Sequence, residues 1–310
     1  MNISFSFIMP AYKALYLHSA IESILNQEYK KFELIIINDA SPENLFEIVN
    51  HFSDKRIRYE TNIRNIGGTD LVKNWNYCIK YANNEYIILA SDDDIYEPQF
   101  LIKAIALIEK YPDVNIIRSG VKRINDQGQI LDIEFPLKEF VTAREFALYY
   151  AKGGTISCVS NYIFRKKALL DNGGFIPFPK AHYSDDATSL ALSYKGVACI
   201  PSNEFNFRVS NINLSNRTDL DVVCEQLKAT ELYMTWFLAH INSLNYYKDD
   251  FFEKACYGGY KQKYLIMIGN LINKIPSLKI LLAAQYVFSN KHLFKKEKYK
   301  LIFAYLIDKF

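Results

Sequence analysis

The chain has 310 residues, half of them apolar and 23% charged, with a formal net charge of +3. That composition excludes a disordered chain and leaves room for two domains, or for one large domain with an appendage. So small a charge gives no support for nucleic-acid binding, which concentrates basic residues on one face. From the N-terminus, Ile3 to Met9 reads as a buried strand ended by Pro10, and His18 to Asn26 has helical spacing of apolar groups. The apolar run before Pro10 is too short for a signal-peptide core or a membrane span, so the folded part is expected in the cytoplasm. Phe32 to Ile37 is a second strand, followed by turn chemistry at Asn38-Asp39-Ala40-Ser41-Pro42. Leu45 to Phe52 looks helical, Ile57 to Glu60 is a third strand, and Gly67-Gly68 precedes a helix from about Leu71 to Ala82. Tyr86 to Ala90 is a fourth strand, running directly into Ser91-Asp92-Asp93-Asp94.

Alternating strands and helices imply a parallel sheet covered on both faces, with ligands bound beyond the carboxyl ends of its strands. Asp39 and the three aspartates lie at such ends. Past Pro98 the pattern gives a helix from Phe100 to Lys110, a strand from Asn115 to Val121 and a hairpin turn at Asn125-Asp126-Gln127-Gly128. Ala143 to Tyr150 looks helical, and glycine pairs mark loops at Gly153-Gly154 and Gly173-Gly174. Ser184-Asp185-Asp186 opens a helix from about Ala187 to Lys195, and Val197 to Ile200 is another strand. After Ser215 the pattern is helical throughout, which sets an expected boundary between residues 1–215 and 216–310.

Three consecutive aspartates after an apolar strand concentrate negative charge in a cleft. Oxygen-only carboxylate sites suit magnesium, manganese or calcium, commonly with substrate phosphates completing the coordination. A helix N-terminus also favours aspartate, though one would suffice. Asp39 and Tyr12 are each weak signals alone. Together they place a flat aromatic ring and a carboxylate on one edge of the sheet, suited to a nucleobase. Asp185 and Asp186 fit either a catalytic pair or a helix cap. The five cysteines contain no CxxC pair and read as buried reduced thiols, and no GxGxxG fingerprint for a dinucleotide is present.

These residues resemble the family 2 glycosyltransferases of the GT-A fold. The resemblance is carried by Phe7 to Tyr12, Ala20 to Gln27, Phe32 to Ser41, Asn65-Ile66-Gly67, Asn74-Trp75-Asn76 and Glu85 to Pro98. It continues more thinly at Gly173-Gly174-Phe175, Ser184-Asp185-Asp186, Phe207-Arg208-Val209-Ser210 and Ser215. It implies a Rossmann-like, mostly parallel sheet with a nucleotide-binding half (1–100), an acceptor-binding half (101–215) and a helical C-terminal region. It further implies an inverting, metal-dependent transfer from a nucleotide diphosphate sugar, commonly UDP-linked, to an acceptor hydroxyl, and weakly a role in bacterial surface polysaccharide synthesis.

By position, the nucleotide-binding residues would be Pro10, Tyr12, Asp39, Asn65, Gly67, Asn74 and Asp92. Asp92, Asp93 and Asp94 would hold Mn2+ or Mg2+. Asp185 would be the base, or Asp186 if the register slips by one. Asn38 stands where the family has an aspartate, and Ser210 where a histidine is frequent. A nucleotidyltransferase is the alternative enzyme, disfavoured by a Pro10-Ala11-Tyr12-Lys13 loop without glycine; a catalytically silent binding module is the other. The C-terminal segment from Lys291 to Phe310 fits either a helical subdomain with a charged outer face or a basic, aromatic surface that rests on the inner face of an anionic membrane, near a saccharide or lipid-linked acceptor.

Overall fold

A computed structural model describes residues 3–210, 217–245 and 248–309. The chain divides into two compact units. The first comprises residues 1–146, 155–177 and 184–210, and the second 147–154, 178–183 and 211–310. The boundary expected after Ser215 falls in 211–216, outside the described residues.

The first unit opens with β1 (Phe5–Ala11), α1 (Leu17–Leu25), β2 (Phe32–Asn38), α2 (Leu45–Asn50), β3 (Ile57–Thr61), α3 (Leu71–Cys78) and β4 (Tyr86–Leu89). β1, β2 and β4 are buried along nearly their whole length, as parallel strands covered on both faces must be. Their phenylalanines, isoleucines and leucines mesh with Leu17, Ala20, Ile21 and Ile24, the inward stripe of α1. β2 lies between β1 and β3, all parallel, with Ile8 beside Ile35 and Ile36 beside Tyr59.

β5 (Ile95–Tyr96) and α4 (Phe100–Lys110) follow, then β6 (Ile116–Arg118), β7 (Val121–Ile124), β8 (Ile130–Ile133), β9 (Phe140–Val141) and the start of α5 (Ala143–Ala151), whose residues from Ala147 belong to the second unit. β10 (Tyr162–Arg165), α6 (Lys166–Asp171), α7 (Ser184–Leu192), β11 (Val197–Cys199) and β12 (Phe205–Arg208) complete the set. The main sheet has the order β3-β2-β1-β4-β10-β6-β11-β9, and a smaller one the order β5-β12-β7-β8. β10 runs antiparallel to both β4 and β6, and the edge strand β9 antiparallel to β11, so the sheet is mostly but not wholly parallel. Strands from before and after residue 100 thus share one sheet. The single strand expected over Asn115 to Val121 is two: it leaves the main sheet after Arg118, and Val121 joins the smaller one. Both pieces are apolar, so periodicity alone joins them.

Two motifs remote in sequence meet here. The Asn76 amide donates to the Phe175 carbonyl (3.0 Å) and accepts from its N–H (2.7 Å), while Trp75 meets the Phe175 ring edge-on at 5.5 Å. Gly174 has φ of +88°, and a Cβ there would lie 2.3 Å from Asn76 Oδ1. Glycine is therefore required at this position twice over, by backbone angle and by space.

The second unit contains α8 (Leu220–Leu244), α9 (Asp250–Asn273), α10 (Ile280–Ser289) and α11 (Lys295–Lys309). Its core is aromatic. Tyr183 stacks on Tyr233 at 4.4 Å, and Phe237 meets Tyr260 at 4.4 Å. Asp249 caps α9 by accepting from the Phe251 and Phe252 N–H groups. Among the described residues no single helix is long and apolar enough to cross a membrane. Asp250–Asn273 and Ser277–Ser289 reach that length and composition only as a pair bent by 112°.

Candidate active site

The carboxyl ends of β2 and β4 carry the expected acids, and each acid has a distinct set of partners. Asp92 accepts from the backbone N–H groups of Tyr12 and Lys13, both at 2.8 Å and both on Oδ2. It thereby fixes the loop that follows β1. Asp94 is 1% exposed and accepts from the Arg208 N–H at 2.9 Å, with the Ser91 hydroxyl as a further donor. Burial, reinforced by Asp93, raises its pKa well above the usual carboxylate range. Its link to β12 explains why the smaller sheet closes directly behind the acid cluster.

Asp93 lies between these two. Its carboxylate meets Lys13 Nζ at 3.9 Å, and burial followed by the Asp92 charge pushes its pKa up to about 6. The three aspartates are therefore not three equivalent metal ligands. Asp92 secures one loop, Asp94 is sealed behind the site, and Asp93 faces Lys13, although burial raises the pKa of all three. Among the described residues no cluster of three or more His, Cys, Asp or Glu side chains is arranged to hold a metal by itself. This donor set fits a cation that takes one or two carboxylates and completes its shell with substrate phosphates, the usual habit of Mg2+ and also suited to Mn2+.

Arg208 was visible in the sequence only as part of a thin motif, and the structure gives it a central place. It is 5% exposed; its Nε donates to the Asp93 carbonyl (2.9 Å) and Nη1 to the carbonyls of Asn125 and Asp126 (3.0 and 3.1 Å). Its guanidinium lies 4.3 Å from the centre of the Tyr16 ring, whose hydroxyl donates to Asp126 at 2.6 Å. The buried cation holds the acid loop to the β7–β8 turn and partly offsets the charge on Asp93.

At the end of β1, Tyr12 presents a 41% exposed side chain, and its carbonyl accepts from the Ser41 hydroxyl at 2.6 Å. Pro10 is the penultimate residue of β1 and is half-buried. Asp39 is 3% exposed and accepts from Asn62 Nδ2 (2.7 Å), Ile66 N (2.9 Å) and Gly67 N (2.7 Å). Both its oxygens thus hold the 62–67 loop. A Cβ on Gly67 would approach Asp39 Oδ2 to 2.9 Å, which accounts for the glycine. Asn65 accepts from Gly68 N at 2.5 Å, within the same loop. Asn74 is 2% exposed and lies behind that loop, near Asn62 and Cys78, so it supports the loop instead of lining the cleft. Asn38, in place of an aspartate, bonds to the Tyr59 hydroxyl and accepts from Ser41 N, keeping the turn intact.

Asp185 and Asp186 occupy the first turn of α7, and Asp185 Oδ1 accepts from Asp186 N at 3.0 Å. They act on different neighbours. The Cys158 thiol, raised well above its usual pKa chiefly by burial, also feels the charges of Asp94 and Asp185. Tyr162, raised to about 12 by burial, feels Asp186. Both acids thus lie in the first turn of α7, bonded to each other through the Asp186 N–H.

A sequence model of the family described as glycosyl transferase family 2 matches residues 6–172. EpsE of Bacillus subtilis (strain 168), described as a glycosyltransferase, is 34% identical over 118 residues, covering 36% of this chain and 40% of that protein. The uncharacterized glycosyltransferase MJ1057 of Methanocaldococcus jannaschii is 34% identical over 141 residues, covering 44% and 47%. The chain therefore spans less than half the length of these curated relatives. Among solved structures, S. aureus TarS 1-349 in complex with UDP-GlcNAc superposes with a TM-score of 0.59 at 15% identity, covering 99% of this chain and 93% of that one. The mannosyltransferase PcManGT of Pyrobaculum calidifontis, in complex with GDP-Man and Mn2+, gives 0.53 at 12% identity, covering 99% and 87%. The fold is that of the GT-A glycosyltransferases.

Proposed function

Because the chain belongs to glycosyl transferase family 2, we propose that this glycosyltransferase moves a sugar from a UDP-linked donor to an acceptor hydroxyl with inversion at the sugar carbon. The single observation that carries this reading is the acid cluster at the end of β4, where Asp93 faces Lys13 of the β1 loop at 3.9 Å. Asp93 has a pKa raised to about 6, chiefly by burial, and Asp185 lies in the first turn of α7. The Tyr12 ring suits stacking on a base, and the 62–67 loop, held by Asp39, suits its edge. Asp93, with Asp92 next to it, would hold a divalent cation, which neutralises charge on a departing diphosphate when bound. Lys13 adds a fixed positive charge at the same place.

An acceptor hydroxyl is a poor nucleophile, so inverting transfer wants a carboxylate opposite the leaving group. Asp185 takes the proton in this reading, and its place in the first turn of a helix whose N-terminal residue is buried keeps its backbone fixed. The relatives' names support transfer of a sugar, and the family resemblance favours surface polysaccharide synthesis as the setting. The test is kinetic. Asp185→Asn keeps size and capping ability; it is expected to leave UDP binding unchanged while lowering turnover by about 10²–10⁴-fold. Asp186→Asn is expected to cost far less. Full activity in Asp185→Asn with loss in Asp186→Asn moves the base by one residue, and full activity in both removes this helix from the chemistry.

A further inference from the structure

The last two helices carry an outer face that packing within the second unit leaves uncovered. α11 is held by one stripe: Tyr305 is fully buried with its hydroxyl on the Pro276 carbonyl at 3.0 Å, and Leu301 sits over Gly269. The opposite stripe, Lys296, Lys300, Phe303 and Ile307, follows the i, i+4, i+7, i+11 spacing of a single helix face. Phe303 and Ile307 are 66% and 67% exposed. Near the Tyr305–Pro276 bond, the turn before α10 exposes Leu278 (94%) and the first turn of α10 exposes Leu281 (83%). Large apolar side chains this open, grouped at one end of a helix pair, are not what a water-facing surface ordinarily retains.

The charge beside them is mostly basic. Residues 291–300 contain five lysines and one acid, Glu297. Glu297 is turned inward, where it pairs with Lys261 at 3.0 Å and accepts from the Phe294 N–H at 2.7 Å. Lys298 reaches back to the Phe288 carbonyl. Lys291, Lys295, Lys296 and Lys300 remain on the exposed surface, and Asp308 is the exposed acid of α11.

We propose that this face of α10 and α11 rests on an anionic lipid surface, its lysines at the headgroups and Phe303, Ile307, Leu278 and Leu281 dipping into the boundary beneath. Charge complementarity selects this occupant. A second copy of the chain would bring like-charged lysine rows together, whereas an anionic bilayer satisfies the basic and the apolar ends at once. The contact is peripheral, since no single described helix is long and apolar enough to span.

The test is co-sedimentation of the full chain with vesicles of phosphatidylcholine alone and of phosphatidylcholine with 30% phosphatidylglycerol (a composition of roughly physiological charge). Binding is expected to the anionic vesicles only, falling as salt rises. The double variant Lys296→Glu/Lys300→Glu is expected to weaken it by about tenfold or more, and Phe303→Ser/Ile307→Ser to abolish it, with unchanged melting temperatures because these side chains are exposed. Equal binding to both vesicle types, or to neither, overturns the proposal. So does retention that survives high salt and alkaline carbonate, which would mark a span. A dimer that dissociates in Phe303→Ser/Ile307→Ser while vesicles bind neither form assigns the face to a second copy and overturns it too.

Discussion

The ends of β2 and β4 offer the same local invitation, an aspartate directly after a buried apolar strand, and the two sites answer it differently. At the β2 end Asp39 is surrounded by donors: one side-chain amide and two backbone N–H groups at 2.7–2.9 Å. Its charge is fully used within the fold, and the loop from 62 to 67 is the product. At the β4 end three acids crowd together. Asp92 takes two backbone N–H groups, Asp94 takes one, and Asp93 is left beside a lysine at 3.9 Å with its pKa raised to about 6. A satisfied carboxylate shapes a site, whereas one under strain from burial and like charge is available to a cation.

This difference predicts opposite effects from the same substitution. Asp93→Asn is expected to remove the divalent-cation dependence of UDP stabilisation, read by thermal shift with and without chelator, and to lower turnover by on the order of 100-fold or more. The same variant is expected to make the ligand-free protein more stable, by about 1–2 kcal/mol at pH 7. The sign follows from the raised pKa. Asp93 takes up a proton on folding, so its contribution is favourable below about pH 4 and is lost as pH rises towards about 6. Thermal melts of the two proteins across that window are expected to converge at the acid end and to separate above it. A variant less stable than the parent at pH 7 would place Asp93 with Asp39 as a structural acid.

Asp39→Asn is expected to act the other way, costing about 3 kcal/mol of stability, because an amide group would be turned towards donors that now have no acceptor. Urea melts measure this, and UDP affinity is expected to fall with it as the 62–67 loop loosens. Next in size is Tyr12→Ala, expected to weaken UDP binding by about 2 kcal/mol, the scale of one base stacked on an aromatic ring, with stability unchanged. Titration calorimetry with equal affinities would remove the ring from the nucleotide site. The smallest effect is Gly67→Ala, whose added methyl carbon meets Asp39 Oδ2 at 2.9 Å. Its expected cost is about 1 kcal/mol, and Asp39→Asn combined with it is expected to cost less than the two summed, since both act on one loop.

Much of the first unit was legible in the order of its residues. Buried strands such as Phe32–Asn38 announce themselves by continuous β-branched character, and α1 by its spacing of Ala20, Ile21 and Ile24. The acid cluster stood out because three charges after an apolar strand have no ordinary reason to be there. β10 was not legible, since four residues, Tyr162–Arg165, carry too little periodicity to set a direction. Nor was the break after Arg118, where both flanking pieces are apolar.

What the sequence determined by itself is therefore the set of chemical groups and the strand ends that bear them, because local patterning controls where a strand stops. What each group does was decided in three dimensions. Asp92, Asp93 and Asp94 are identical and adjacent in sequence, yet one anchors the Tyr12 loop, one meets Lys13 and one is sealed against Arg208, a residue 114 positions away from it. Donors that arrive from distant segments, and the burial they impose, fix the charge state and the free valence of each carboxylate, and no run of neighbouring residues encodes them.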